Sequence, residues 1–161
     1  MTAGGTGATK PRSRMRRIVR FARLPAADRR LLAAAAALLG ATRVGLWLFP
    51  FGVVQRVAAR LERRRLSAHA DPDAAQRVVW AVDVASRYVP ASKNCLNRAL
   101  TAKVLLARQG LSTHLRIGVQ RNSEGELKAH AWVEAAEGIL IGNMPNLSRY
   151  APLHPRERVE R

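Results

Sequence analysis

The sequence contains a single cysteine, Cys95. A cysteine attacks a carbonyl as its thiolate, and a helix start stabilises that anion through unpaired backbone N–H groups and the helix dipole. The run Ser92-Lys93-Asn94-Cys95 opens a helical pattern that continues to about Gln109. Leu96, Ala99, Leu100, Val104 and Ala107 form its apolar stripe, and Gly110 terminates it. Nucleophilic catalysis also needs a base that works near neutral pH, the natural role of histidine. His130 offers one, in the strand pattern Ala129-His130-Ala131-Trp132-Val133-Glu134. A polar partner must hold the imidazole in the correct tautomer, and hairpin geometry nominates Asn143. A two-residue loop at Glu137-Gly138 makes Asn143 the diagonal neighbour of His130 on the same face. A four-residue loop sets it directly opposite, and a three-residue loop puts it on the wrong face.

Each of these residues also has a plain structural reading. A lone cysteine at a helix start is commonly a buried small residue. His69, His114 and His154 are rival bases, and bare spacing does not exclude His114. Trp80 and Trp132 read most simply as core residues.

The elements that must position these groups follow from periodicity. Asp71-Pro72-Asp73 starts a helix with Asp71 as N-cap, running to about Tyr88 before Pro90. The Cys95 helix comes next. Thr113–Gln120 alternates as a strand, Asn122–Gly125 turns, Leu127–Ala135 forms a second strand and Ile139–Asn143 a third. Residues 144–161 show no periodicity and read as a tail or covering loop. Helices followed by an antiparallel sheet make the domain α+β.

Composition supports one domain with a helical extension: 48% of residues are hydrophobic and 24% charged. One cysteine excludes an internal disulfide framework and a CxxC metal site, and fits a reducing compartment. The net charge is +17, and residues 1–70 hold 15 Lys/Arg against only Asp28 and Glu62. We therefore divide the chain into a basic arm (1–23), a helical N-terminal subdomain (24–68) and the catalytic unit (69–161). In the subdomain one helix is expected from Ala26 to Leu39, ended by Gly40. An apolar stretch over 41–49 is stopped by Pro50, and a further helix runs from Val53 to Arg65. A membrane span over 31–49 is disfavoured by Arg43, which would cost about 2.5–3.5 kcal/mol at a helix centre. A signal peptide is disfavoured by the length of the stretch and the lack of a cleavage site.

The segment from Tyr88 to Asn143 resembles the transglutaminase-like cysteine peptidases of lasso-peptide biosynthesis. These leader peptidases are related to the C-terminal half of the microcin-processing protein. The match is carried by Trp80-Ala81-Val82, Val89-Pro90, Asn94-Cys95-Leu96, Arg98-Ala99-Leu100 and Leu105-Leu106-Ala107-Arg108-Gln109-Gly110. It continues through Leu115-Arg116-Ile117-Gly118-Val119 and Ala129-His130-Ala131-Trp132-Val133-Glu134. Leu24-Pro25-Ala26-Ala27-Asp28-Arg29-Arg30-Leu31 is similar to that family's helical lead-in.

The resemblance implies removal of a leader peptide from a ribosomally made precursor, with Cys95 as nucleophile and His130 as base. It implies a cytoplasmic enzyme, free or associated with a membrane surface, without metal or other cofactor. A separate leader-binding protein would deliver the substrate, and an ATP-dependent macrolactam cyclase would act on the released core. The family's triad usually ends in aspartate; here Asn143 is the nearest polar group, with Glu134 and Glu137 as fallbacks. The Cys95 backbone N–H is an oxyanion donor, and Asn94 could contribute another. Arg63, Arg64 and Arg65 would steer an acidic partner. Two alternatives remain: an acyltransferase with the same Cys/His apparatus, and a non-catalytic basic adaptor for nucleic acid or an acidic membrane surface. No recognised nucleic-acid module supports the adaptor.

Overall fold

The structure is a computed structural model that describes residues 24–62, 72–89, 94–122 and 124–153. The basic arm, Arg63, Arg64, Arg65, the boundary at 68/69, His69, Asp71 and His154 lie outside the described residues.

The first helix, α1, spans Ala26–Leu48 without interruption. Pro25 precedes it with an extended backbone, Asp28 sits in the first turn, and an alanine run follows at the top of the helix-propensity scale. Gly40 was expected to end this helix and does not. A glycine in a helix interior costs about 1 kcal/mol relative to alanine. Its neighbour Leu39 is fully buried, which contributes about 1.5–3 kcal/mol. The helix stops only at Phe49, whose N–H bonds to the Gly45 carbonyl at 2.8 Å, next to Pro50. By length and composition α1 could cross a membrane; in this fold its Ala35, Leu39 and Thr42 are buried against protein.

Helix α2 spans Phe51–Glu62, α3 Pro72–Ser86 and α4 Cys95–Arg108. Helix α4 is the hub, packed against α1, α2, α3 and the sheet. Its Ala102 and Leu106 join Leu39 of α1, Val78, Ala81 and Val82 of α3, and Val133 of the sheet in one buried cluster. Helix α1 and the Cys95-bearing helix thus share one core, while α2 packs Ala58 against Leu100 and Val104 of α4 in a second cluster. A polar seam crosses it. Asn97 donates from Nδ2 to the Leu39 carbonyl at 3.1 Å, while Thr42 Oγ1 donates to Asn97 Oδ1 and lies 3.3 Å from Thr101 Oγ1. All three side chains are buried. Their mutual bonds offset the desolvation each would otherwise suffer, and fix α1 against the first turn of α4.

The sheet comprises β1 (His114–Arg121), β2 (Leu127–Ala135), β3 (Gly138–Ile141) and the short β4 (Ala151–Pro152), in the order β3-β2-β1-β4. All its pairs are antiparallel. The fold is α+β, as the sequence pattern implies. Two expectations are corrected. The β2–β3 turn is Ala136-Glu137, because Gly138 already pairs with Ala135. A bulge then shifts the register: Glu134 faces Ile139 but Val133 faces Ile141. The extra residue moves everything after Ile141 by one position relative to β2. Residues 144–153 are also no mere tail. A 3-10 turn at Leu147–Arg149 leads into β4, which pairs with β1 at Gly118 and Val119.

Candidate active site

Asn94 caps α4, and Cys95 is its first residue. Asn94 Oδ1 accepts the Leu96 backbone N–H at 3.1 Å, so the helix start is held by a side chain of the preferred type. The same oxygen accepts from Cys95 Sγ at 3.7 Å. Cys95 is half-buried, and its backbone N–H belongs to the helix-start donors that have no partner within the helix. With its side-chain oxygen accepting from the Leu96 N–H, Asn94 keeps its backbone N–H and its side-chain amide nitrogen as donors.

His130 lies in the middle of β2, opposite Gly118 of β1. Its Nε2 is 2.7 Å from the Gly142 carbonyl oxygen. A carbonyl accepts only, so this nitrogen carries the proton and Nδ1 is left with its lone pair. The ring stacks on Trp132, with centroids 6.2 Å apart and planes 17° apart, and is flanked by Tyr150 at 5.5 Å. Trp132 reaches it by strand alternation, since i and i+2 share a face. Tyr150 reaches it because β4 docks the returning chain, where its hydroxyl accepts from Gln120 Nε2 at 3.1 Å.

Helix and sheet meet in a cavity of about 310 Å³ lined by Cys95, Arg98 and Ala99 of α4 and by His130, Ala131, Ile141 and Gly142. Cys95 and His130 therefore share one cavity, though they are not hydrogen-bonded to each other; the thiol contacts Asn94 instead. Catalytic contacts are often long before substrate binds. A larger cavity of about 680 Å³ at the other end of α4, between Arg30, Leu61 and Arg108, contains neither cysteine nor histidine.

The structure places Asn143 beside the site without joining it to His130. Its side chain is exposed and makes no hydrogen bond to the ring, whose partner is the main chain one residue earlier. Among the fallbacks, Glu134 is ion-paired with Arg116, and Glu137 is exposed in the hairpin turn. His114 is exposed at the far end of β1, opposite Glu134 and four pairs from the Gly118–His130 pair. Trp132 is buried as expected; Trp80, 37% exposed, is not a core residue. No group of His, Cys, Asp and Glu suited to a metal ion occurs among the described residues.

A family model described as the transglutaminase-like superfamily matches residues 36–154. The chain belongs to the transglutaminase-like superfamily. This superfamily includes cysteine peptidases and acyltransferases, which share a cysteine-bound acyl intermediate. The match begins inside α1 and ends just past β4, so it takes in the N-terminal helices as well as the sheet. No curated protein and no solved structure matches the chain.

Two elements of this transglutaminase-like site escaped sequence reasoning. The Gly142 carbonyl is a main-chain group and has no residue-type signature. Its one signal is the glycine itself, with φ +85. Tyr150 sits in a segment without periodicity, where nothing local predicts a strand.

Proposed function

We propose that this protein is a cysteine peptidase that removes the leader from a ribosomally made lasso-peptide precursor. The observation that carries the reading is the shared cavity: Cys95 at the first position of α4, beside a histidine whose Nε2–H is held by the Gly142 carbonyl. In this mechanism Cys95 Sγ attacks the scissile carbonyl carbon and its proton passes to His130 Nδ1. The oxyanion is met by the Cys95 backbone N–H. The tetrahedral adduct collapses, the C–N bond breaks, and His130 returns the proton to the departing amine. Water then attacks the thioester, losing its proton to His130, and the leader departs as a carboxylic acid while the thiol is restored. Gly142 orients the ring by accepting from Nε2. It also stabilises the imidazolium, though as a neutral dipole it does so less than an aspartate would.

Substrate delivery by a separate leader-binding protein belongs to the same reading. Val44, Trp47, Leu48 and Phe49 at the end of α1 are exposed, Trp47 to 82%, and the exposed Arg43 lies beside them. That combination suits an apolar contact steered by charge towards an acidic partner.

The test is mass spectrometry of the precursor incubated with the enzyme and the leader-binding protein. The expected product is a leader fragment with a free carboxylate, absent with Cys95→Ala. Cleavage by Cys95→Ala at the wild-type rate overturns the proposal. An amide-linked adduct in place of the free acid would indicate acyl transfer.

A further inference from the structure

The cavity beside Cys95 holds a cation that hydrolysis by a Cys/His pair does not use. Arg98 lies one turn beyond Cys95 on α4, on the same helix face, and lines the same cavity. One of its terminal nitrogens is bound to Asp83 of α3 at 2.8 Å. Asp83 is itself shared with Arg87 at 2.5 Å, on its other oxygen. The Nε of Arg98 is buried and has no hydrogen-bond partner. A buried charged donor without an acceptor is costly. The Arg98 side chain as a whole is 32% exposed and lines the cavity, where Ala99, Ala131 and Ile141 offer no side-chain acceptor and His130 offers only Nδ1.

We propose that Arg98 makes this cavity a receptor for a carboxylate on the acyl part of the substrate, with Asp83 as the positioning residue. A guanidinium held by Asp83 at one terminal nitrogen keeps the other terminal nitrogen as a charged donor of preset orientation, suited to a carboxylate oxygen. Residues three apart on a helix lie about 5–6 Å apart at Cβ, so a carboxylate on Arg98 lies within reach of a group reacting at Cys95 Sγ. The substrate class this defines is a peptide with an acidic side chain close to the bond attacked. The proposal rests on Cys95 being the reactive residue, as in the proposed function, but its test does not need peptide cleavage.

Because Cys95 is the only cysteine, alkylation reports on this cavity alone. Iodoacetate and iodoacetamide each form an S–C bond and release iodide, with the thiol proton lost to solvent. They differ in charge, so the ratio of their rates cancels the intrinsic reactivity of the thiol. The folded wild-type protein should favour iodoacetate about tenfold more than the urea-unfolded chain does, the loss expected for one charge-assisted hydrogen bond. Arg98→Gln should abolish that preference and Arg98→Lys should keep part of it. Asp83→Asn should reduce it. Arg56→Gln, which lowers the net charge equally on the exposed face of α2, should leave it unchanged. If Arg98→Gln does not fold, the lysine and Asp83 variants and the folded-to-unfolded comparison carry the test. A wild-type ratio no higher than that of the unfolded chain, or the same ratio in wild type and Arg98→Gln, overturns the proposal. Cleavage that requires Cys95, with a ratio indifferent to Arg98, would reject the carboxylate site and leave the peptidase reading standing. Cleavage that persists in Cys95→Ala would reject the peptidase reading itself.

Discussion

Replacing Gly142 by alanine should damage both the fold and the site. Gly142 has φ +85, in the left-handed region, where an alanine costs about 1–2 kcal/mol. A Cβ built there would lie 2.8 Å from the Ala131 carbonyl oxygen, 2.8 Å from Trp132 Cβ and 3.0 Å from Trp132 Cα. Two of those three atoms are backbone, so no rotamer change relieves the contact and the chain must move. Forced overpacking of this kind costs about 1–3 kcal/mol. Together the two effects predict about 2–5 kcal/mol of destabilisation. The movement required also pulls the Gly142 carbonyl from its 2.7 Å bond to His130, so activity should fall further than stability alone explains. Gly125 supplies the control, because it has nearly the same φ, +81, yet nothing within 4 Å of a built Cβ. Gly125→Ala should pay the strain alone, about 1–2 kcal/mol, and keep native activity. The assay is urea unfolding of both variants beside the wild type, followed by cleavage rates under conditions where each is fully folded. Equal destabilisation by the two substitutions would refute the crowding argument. Full activity in folded Gly142→Ala would refute the role of its carbonyl.

His130→Ala should abolish cleavage as completely as Cys95→Ala does, whereas His114→Ala, at the exposed end of β1, should retain most of it in the same precursor assay. Asn143→Ala should stay within a few-fold of wild type in initial cleavage rate, because its exposed side chain makes no bond to the ring. An effect as large as that of His130→Ala would show that the side chain turns inward with substrate. Asn97→Ala should lower stability by about 1–3 kcal/mol in urea unfolding, since it strips a partner from Thr42 and from the Leu39 carbonyl in a buried seam. Added salt should slow cleavage assisted by the leader-binding protein more than unassisted cleavage, because screening weakens exposed charge steering. Equal slowing of both would remove the arginines from delivery.

The start of the Cys95 helix, the alternation of β1 and β2 and the α+β order were legible in the sequence because each rests on local chemistry. Asn94 can cap the next turn wherever the chain places it, and the strand Leu127–Ala135 has the same bounds in the pattern and in the structure. The stripe of Ala99, Leu100, Val104 and Ala107 was visible in the sequence, but the fully buried Leu106 lay outside it, and nothing local said that α1 would share one core with α4. That sharing lets α1 continue through Gly40, because burial against other helices outweighs the residue's own preference. The site's completion belonged to the tertiary structure throughout. A bulge between Val133 and Glu134 decides which residue after β3 comes level with His130, and the group that meets the ring is a main-chain carbonyl, which any residue type could supply. Tyr150 reaches His130 only because two residues of β4 pair with β1, and Arg98 is held at the cavity wall by Asp83, which arrives from another helix. Residue types disclose which chemistry is available. The register of a bulged hairpin and the docking of separate helices decide which of those groups meet.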